Sequence, residues 1–235
     1  MKLLQYCCIV LLSFIGCSSD KNIEQHPPRI IFFGDSITEL GDKPSGYVSI
    51  VRDSLKSLGM QYEVIGSGIS GNKVTDLQQR LKRDVLSKHP AVVVIYIGIN
   101  DVWHYQFASR GLSGTPKDQF KNILTDIVED IQSSGAQVIL CTPSVIGEKI
   151  DATNPWDALL DEYSDISRNV ARERHIVLLD LRKEFLAYLS ANNPTNAEKD
   201  ILTYDGVHLN ERGNRFVAEK MFGMLEGLGL FFPQK

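Results

Sequence analysis

The chain has 235 residues, 43% of them apolar and 23% charged, with 25 Lys and Arg against 29 Asp and Glu for a formal net charge of −4. These proportions are those of an ordinary globular protein and exclude a disordered, fibrous or polytopic membrane chain. A pI near 5.8, with no dense Lys/Arg stripe, also excludes the basic surface that nucleic-acid binding requires.

The N-terminus has its own pattern. Lys2 precedes an apolar run over residues 3–15, interrupted only by Gln5, Tyr6 and Ser13, and Gly16-Cys17-Ser18-Ser19 follows. That order reads as a bacterial signal peptide over 1–16, shorter than the roughly 20 apolar residues of a comfortable membrane span. Phe14-Ile15-Gly16-Cys17 has the form of a lipobox, which predicts a diacylated Cys17 as the mature start. Plain secretion or an uncleaved anchor is the alternative, and the mass of the mature N-terminal peptide separates the three. Residues 17–28 read as a lipidated polar tether ending in Pro27-Pro28, and residues 29–235 as one folded domain. The expected address is the bacterial cell envelope, with the membrane touched only through the lipid. Cys7 and Cys8 would leave with the signal and Cys17 would carry lipid. Cys141, after Val138-Ile139-Leu140, then remains as a buried core residue, and no internal disulfide is expected.

Along the body, strand-length apolar runs at 30–33, 62–65, 91–97, 137–141 and 175–179 alternate with helix-period stretches at 47–58, 74–87, 117–133 and 156–174. A final amphipathic stretch covers 212–228 after Asn210. Runs that are continuously apolar and rich in Val and Ile suit strands covered on both faces, as in a parallel sheet. The alternation predicts an α/β fold: a three-layer α/β/α sandwich around a five-stranded parallel sheet, flavodoxin-like in strand order. In such sheets ligands bind beyond the carboxyl ends of the strands, so the residues after each run are where chemistry is sought. Stretches 101–116 and 142–155 are expected to be long loops that wall or cover a pocket.

After the first run comes Gly34-Asp35-Ser36-Ile37-Thr38, expected as a tight strand-to-loop turn. It does not meet the G-x-S-x-G elbow, because Thr38 holds the last glycine position. Gly98-Ile99-Asn100-Asp101 follows the third run, and Asp205-Gly206-Val207-His208 lies beyond the last. A serine hydroxyl is a poor nucleophile until a base takes its proton, and the base is usually oriented by a carboxylate. Ser36, His208 and Asp205 supply those three groups. A tetrahedral intermediate also needs donors aimed at its oxyanion. The candidates are the N–H groups of Ser36 and Gly71 and the side-chain amide of Asn100. Asp35, Trp103 and His104 are the candidates for the pocket wall. Asp35 is expected to brace its turn through backbone hydrogen bonds, and His104 reads equally well as a solvated loop residue. Asp180 is expected to cap the segment after the fifth strand.

Four blocks, Gly34-Asp35-Ser36, Ser70-Gly71-Asn72, Gly98-Ile99-Asn100-Asp101 and Asp205-Gly206-Val207-His208, resemble those of the SGNH/GDSL hydrolases, in that family's order and across most of the chain. The resemblance implies Ser36 as nucleophile, His208 as base, Asp205 as its orienter, and Ser36, Gly71 and Asn100 as the oxyanion hole. It implies serine-dependent hydrolysis of carboxylic esters through an acyl-enzyme, with no metal and no organic cofactor. Small-molecule or glycan esters are the implied substrates, with short acyl (acetyl) esters on carbohydrates ahead of lysophospholipids and thioesters. Gly66 stands where many relatives have Asn, which implies a looser second loop. Two readings from other classes fit less well. A metal-dependent phosphoesterase could draw on Asp35, Asn100, Asp101, His104, Asp205 and His208, but the usual Asp-x-His opening is missing. A non-catalytic module with its 34–38 loop around a phosphate or sugar leaves the Asp205/His208 pair unexplained.

Overall fold

The computed structural model describes residues 27–228. The expected signal peptide, Cys17 and most of the tether lie outside the described residues. Five parallel strands, β1 (Arg29–Gly34), β2 (Glu63–Gly68), β3 (Val92–Tyr96), β4 (Gln137–Cys141) and β5 (Val177–Leu179), form one sheet in the order β2-β1-β3-β4-β5. This is the flavodoxin-like order the sequence predicts, with the direction of winding reversing between β1 and β3. Ile30, Ile31, Phe32, Phe33 and all of Val92–Tyr96 are buried. Continuous apolar runs are required here because helices cover both faces of the sheet. Each such Val, Ile or Phe contributes on the order of 1.5–3 kcal/mol by leaving water.

Helices α1 (Ser36–Gly41), α2 (Tyr47–Ser57), α3 (Val74–Asp84), α4 (Ile99–Trp103), α5 (Lys117–Ser133), α6 (Asp157–Glu173), α7 (Leu181–Asn192) and α8 (Glu211–Gly227) surround the sheet. α2 packs on α8, while α3 packs on α5 and α5 on α6, giving the two outer layers. Helix α5 illustrates the pattern, burying Phe120, Leu124, Ile127, Val128 and Ile131 at spacings of three and four. Helix α8 starts where Asn210 accepts a hydrogen bond from the Gly213 N–H, and α7 where Asp180 accepts one from Lys183.

Four expectations are corrected. The 34–38 segment is not a loop, since Ser36 opens α1. Residues 101–110 are not a loop either, because α4 runs into a 3-10 segment, His104–Arg110. The long helix over 74–87 stops at Asp84 and is followed by a separate turn, Leu86–Lys88. Gly66 lies inside β2, where a Cβ would fall 2.4 Å from the Asp42 side chain, so its glycine reflects close packing and not a loosened loop.

Candidate active site

Every site segment leaves the carboxyl edge of the sheet or packs against it. Ser36 follows β1 directly, Asn100 follows β3, and these neighbouring strands flank the switch point. Two features put Ser36 at the head of a helix. Asp35 accepts a hydrogen bond from the Ile37 N–H at 2.9 Å, capping α1. Gly68 lets α1 sit directly on the end of β2, since a Cβ there would lie 2.1 Å from the Glu39 nitrogen.

The loop between α7 and α8 brings the other two groups. His208 Nε2 lies 2.9 Å from Ser36 Oγ, and His208 Nδ1 lies 2.6 Å from Asp205 Oδ2. The second carboxylate oxygen of Asp205 accepts the backbone N–H groups of His208 at 2.7 Å and Val207 at 3.0 Å. Both oxygens are therefore fixed, and the imidazole is held with one nitrogen toward the carboxylate and the other toward the hydroxyl. Partial burial raises the Asp205 carboxyl, but its hydrogen bonds from the His208 ring and the backbone outweigh that and hold it below its ordinary range. An anionic carboxylate behind the imidazole favours the tautomer that can take a serine proton.

Each of the three oxyanion candidates has an N–H group to offer. As the first residue of α1, Ser36 has an N–H that the helix itself leaves unpaired. Gly71 has φ +78°, a left-handed conformation that an L side chain rarely adopts. Asn100 is buried and donates one amide hydrogen to the Asn72 carbonyl at 3.0 Å, which leaves its second amide hydrogen for a ligand. The Gly71 loop is tied down elsewhere, because the Ser70 N–H and hydroxyl both donate to Glu39 on α1 at 2.6 Å. Those bonds hold the Glu39 carboxyl below its usual range.

Of the three pocket candidates, Trp103 lines an open cleft. Asp35 is 2% exposed and sits behind the serine. Burial pushes its carboxyl up to about 7, the Ile37 hydrogen bond opposes that rise, and the neighbouring Asp101 adds to it. Asp101 is fully buried, accepts the Val74 N–H, and is raised by burial to about 6. His104 is buried, not a solvated loop residue, and burial together with the nearby Lys73 charge lowers its pKa. Among the described residues, no three His, Cys, Asp or Glu side chains are grouped to hold a metal ion. Cys141 is buried, as expected.

Sequence reasoning missed three supporting residues. Arg80 on α3 is buried and donates to the Gly34 carbonyl at 2.7 Å, the Ser67 carbonyl at 3.1 Å and Asn72 Oδ1 at 2.8 Å. It thereby joins the ends of β1 and β2 to the loop that holds Asn100. Glu148 is fully buried and accepts the N–H groups of Ile201, Leu202 and Thr203 at 2.7–2.8 Å, clamping the loop just before Asp205. Tyr204 stacks on the His208 ring at 5.7 Å between centroids, while Trp103 meets that ring edge-on at 6.2 Å. None of the three carries a local motif.

A helix-borne serine, a carboxylate-oriented imidazole and unpaired N–H donors on a flavodoxin-like sheet define the serine-hydrolase class of site. The model of the GDSL-like Lipase/Acylhydrolase family matches residues 32–216, a span that holds all four blocks, and the chain belongs to that family. It is an esterase/acylhydrolase. The acetylxylan esterase of Geobacillus stearothermophilus is 30% identical over 205 residues, covering 81% of this chain and 90% of that protein. The crystal structure of an acetyl xylan esterase, AlAXEase, is similar with a TM-score of 0.81 at 49% identity, covering 84% of this chain and 99% of that one. The uncharacterized lipoprotein YqeF of Bacillus subtilis is 23% identical over 218 residues, 81% of this chain and 86% of that protein.

Proposed function

We propose that this esterase removes acetyl groups from carbohydrate esters, acetylated xylo-oligosaccharides in particular, with Ser36 as nucleophile. The hydrogen-bonded series Ser36–His208–Asp205, at 2.9 and 2.6 Å, carries the reading. His208 Nε2 accepts the Ser36 proton as Oγ attacks the acetyl carbonyl, and Asp205 stabilises the imidazolium that forms. The Ser36 and Gly71 N–H groups and the free Asn100 amide hydrogen receive the oxyanion. His208 then passes its proton to the departing sugar oxygen, releasing it as a hydroxyl and leaving Ser36 acetylated. A water deprotonated by His208 attacks the acetyl-enzyme, and acetate leaves with the serine restored.

The acetyl preference is supported by the two acetyl xylan esterases among the relatives. The lipid anchor at Cys17 is proposed alongside it from the lipobox, and YqeF supports it only as a distant relative that bears the name lipoprotein. A p-nitrophenyl ester series from acetate to octanoate, run beside acetylated xylo-oligosaccharides, tests the substrate. The expected result is the highest kcat/KM at acetate, with acetate released from the oligosaccharide. A maximum at octanoate would instead assign a lipid or thioester substrate.

A further inference from the structure

A cleft of about 330 Å³ adjoins the loop that carries Asp205, and its wall includes two indoles, Trp103 and Trp156. Both are held by the protein itself, Trp103 through its ring and Trp156 through its backbone and its packing against the core. Trp103 packs edge-to-face on Phe107 at 5.3 Å and donates its Nε1–H to Gln106 Oε1 at 2.9 Å. Trp156 stands at the start of α6, where its backbone N–H donates to Asn154 Oδ1 at 3.1 Å and Asn154 in turn donates to Asp157. Asp157 is held by the fully buried Arg182 at 2.8 Å. Fixed aromatic faces are the kind of surface that binds at low entropic cost.

Three polar groups on the cleft wall take no protein partner among the described residues: the Trp156 indole N–H, the Gln106 side-chain NH₂ and the Glu198 carboxylate. Two donors and a strong acceptor beside flat apolar faces match a ring that carries hydroxyls on its edge and C–H bonds on its faces. An acyl chain in the same place would strip water from these groups and give nothing back. An anionic ligand would meet the unpaired Glu198 charge. We propose that this cleft is a subsite for a neutral sugar ring belonging to the alcohol part of the ester. The inference rests on the carbohydrate-ester reading and adds where the carbohydrate is held.

The test compares kcat/KM on an acetylated xylo-oligosaccharide with kcat/KM on p-nitrophenyl acetate, as a ratio, for the unmodified enzyme, Trp156→Ala and Glu198→Gln. The expected result is a ratio lowered about tenfold by Trp156→Ala, the loss typical of removing one central aromatic contact, and about threefold by Glu198→Gln. Ratios within twofold of the unmodified enzyme, while that enzyme deacetylates the oligosaccharide, would overturn the subsite and leave the substrate reading standing. An unmodified enzyme that turns over p-nitrophenyl acetate but not the oligosaccharide would overturn both. If Trp156→Ala fails to fold, the exposed Glu198→Gln decides alone.

Discussion

Ser36→Ala and His208→Ala are each expected to lower kcat on p-nitrophenyl acetate by roughly 10⁴–10⁶-fold with the fold intact, and the double variant to be no worse than either single one. The non-additivity follows from the geometry. With His208 Nε2 2.9 Å from Ser36 Oγ, the two act as one unit, so losing the hydroxyl makes the base useless and losing the base leaves the hydroxyl protonated. Asp205→Asn is expected to cost less than either, because the imidazole remains as a base but loses the anion that sets its tautomer. Steady-state kinetics with thermal melting of each variant checks this, and a double variant clearly slower than both singles would mean that the two residues act separately.

Asn100→Ala is expected to lower kcat by roughly 10²–10³-fold with little change in KM. A donor aimed at the oxyanion gains strength only as negative charge develops on that oxygen, so its loss is felt in the transition state and not in substrate binding. The same substitution breaks the bond to the Asn72 carbonyl, a stability cost of about 1 kcal/mol that melting would read independently. A rise in KM with kcat unchanged would place Asn100 in ground-state binding.

The sheet was legible because its strands are covered on both faces, which forces runs such as Val92–Tyr96 to be apolar throughout. Short helices were not. α1 and α4 have six and five residues, too few to display a 3.6-residue period. The start of α1 depends on a contact far away in sequence, the approach of Gly68 to the Glu39 nitrogen. Helix α7 buries Leu181, Phe185 and Leu189 at four-residue spacing, yet Leu186, Ala187 and Tyr188 fill other faces and blur the stripe.

The candidate site was legible wherever a role is written in contiguous residues. Asp205 and His208 are three apart, and one turn presents both. Its supports are written through space. Arg80 looks like one more charged residue on a polar helix until its guanidinium is found on the Gly34 and Ser67 carbonyls. Glu148 sits 54 residues from Leu202, whose N–H it accepts, and nothing near it in the chain marks it as a clamp. His104 stayed open between pocket wall and solvated loop because a lone histidine in an irregular stretch shows no face, and only the 3-10 turn reveals that its imidazole is buried.

Covalent capture identifies the nucleophile most directly, with the mature protein treated with a fluorophosphonate and the labelled peptide mapped by mass spectrometry. One adduct is expected, on Ser36, forming as esterase activity is lost and absent from Ser36→Ala. An adduct on another residue such as Ser70, or full activity after Ser36 is labelled, would contradict it.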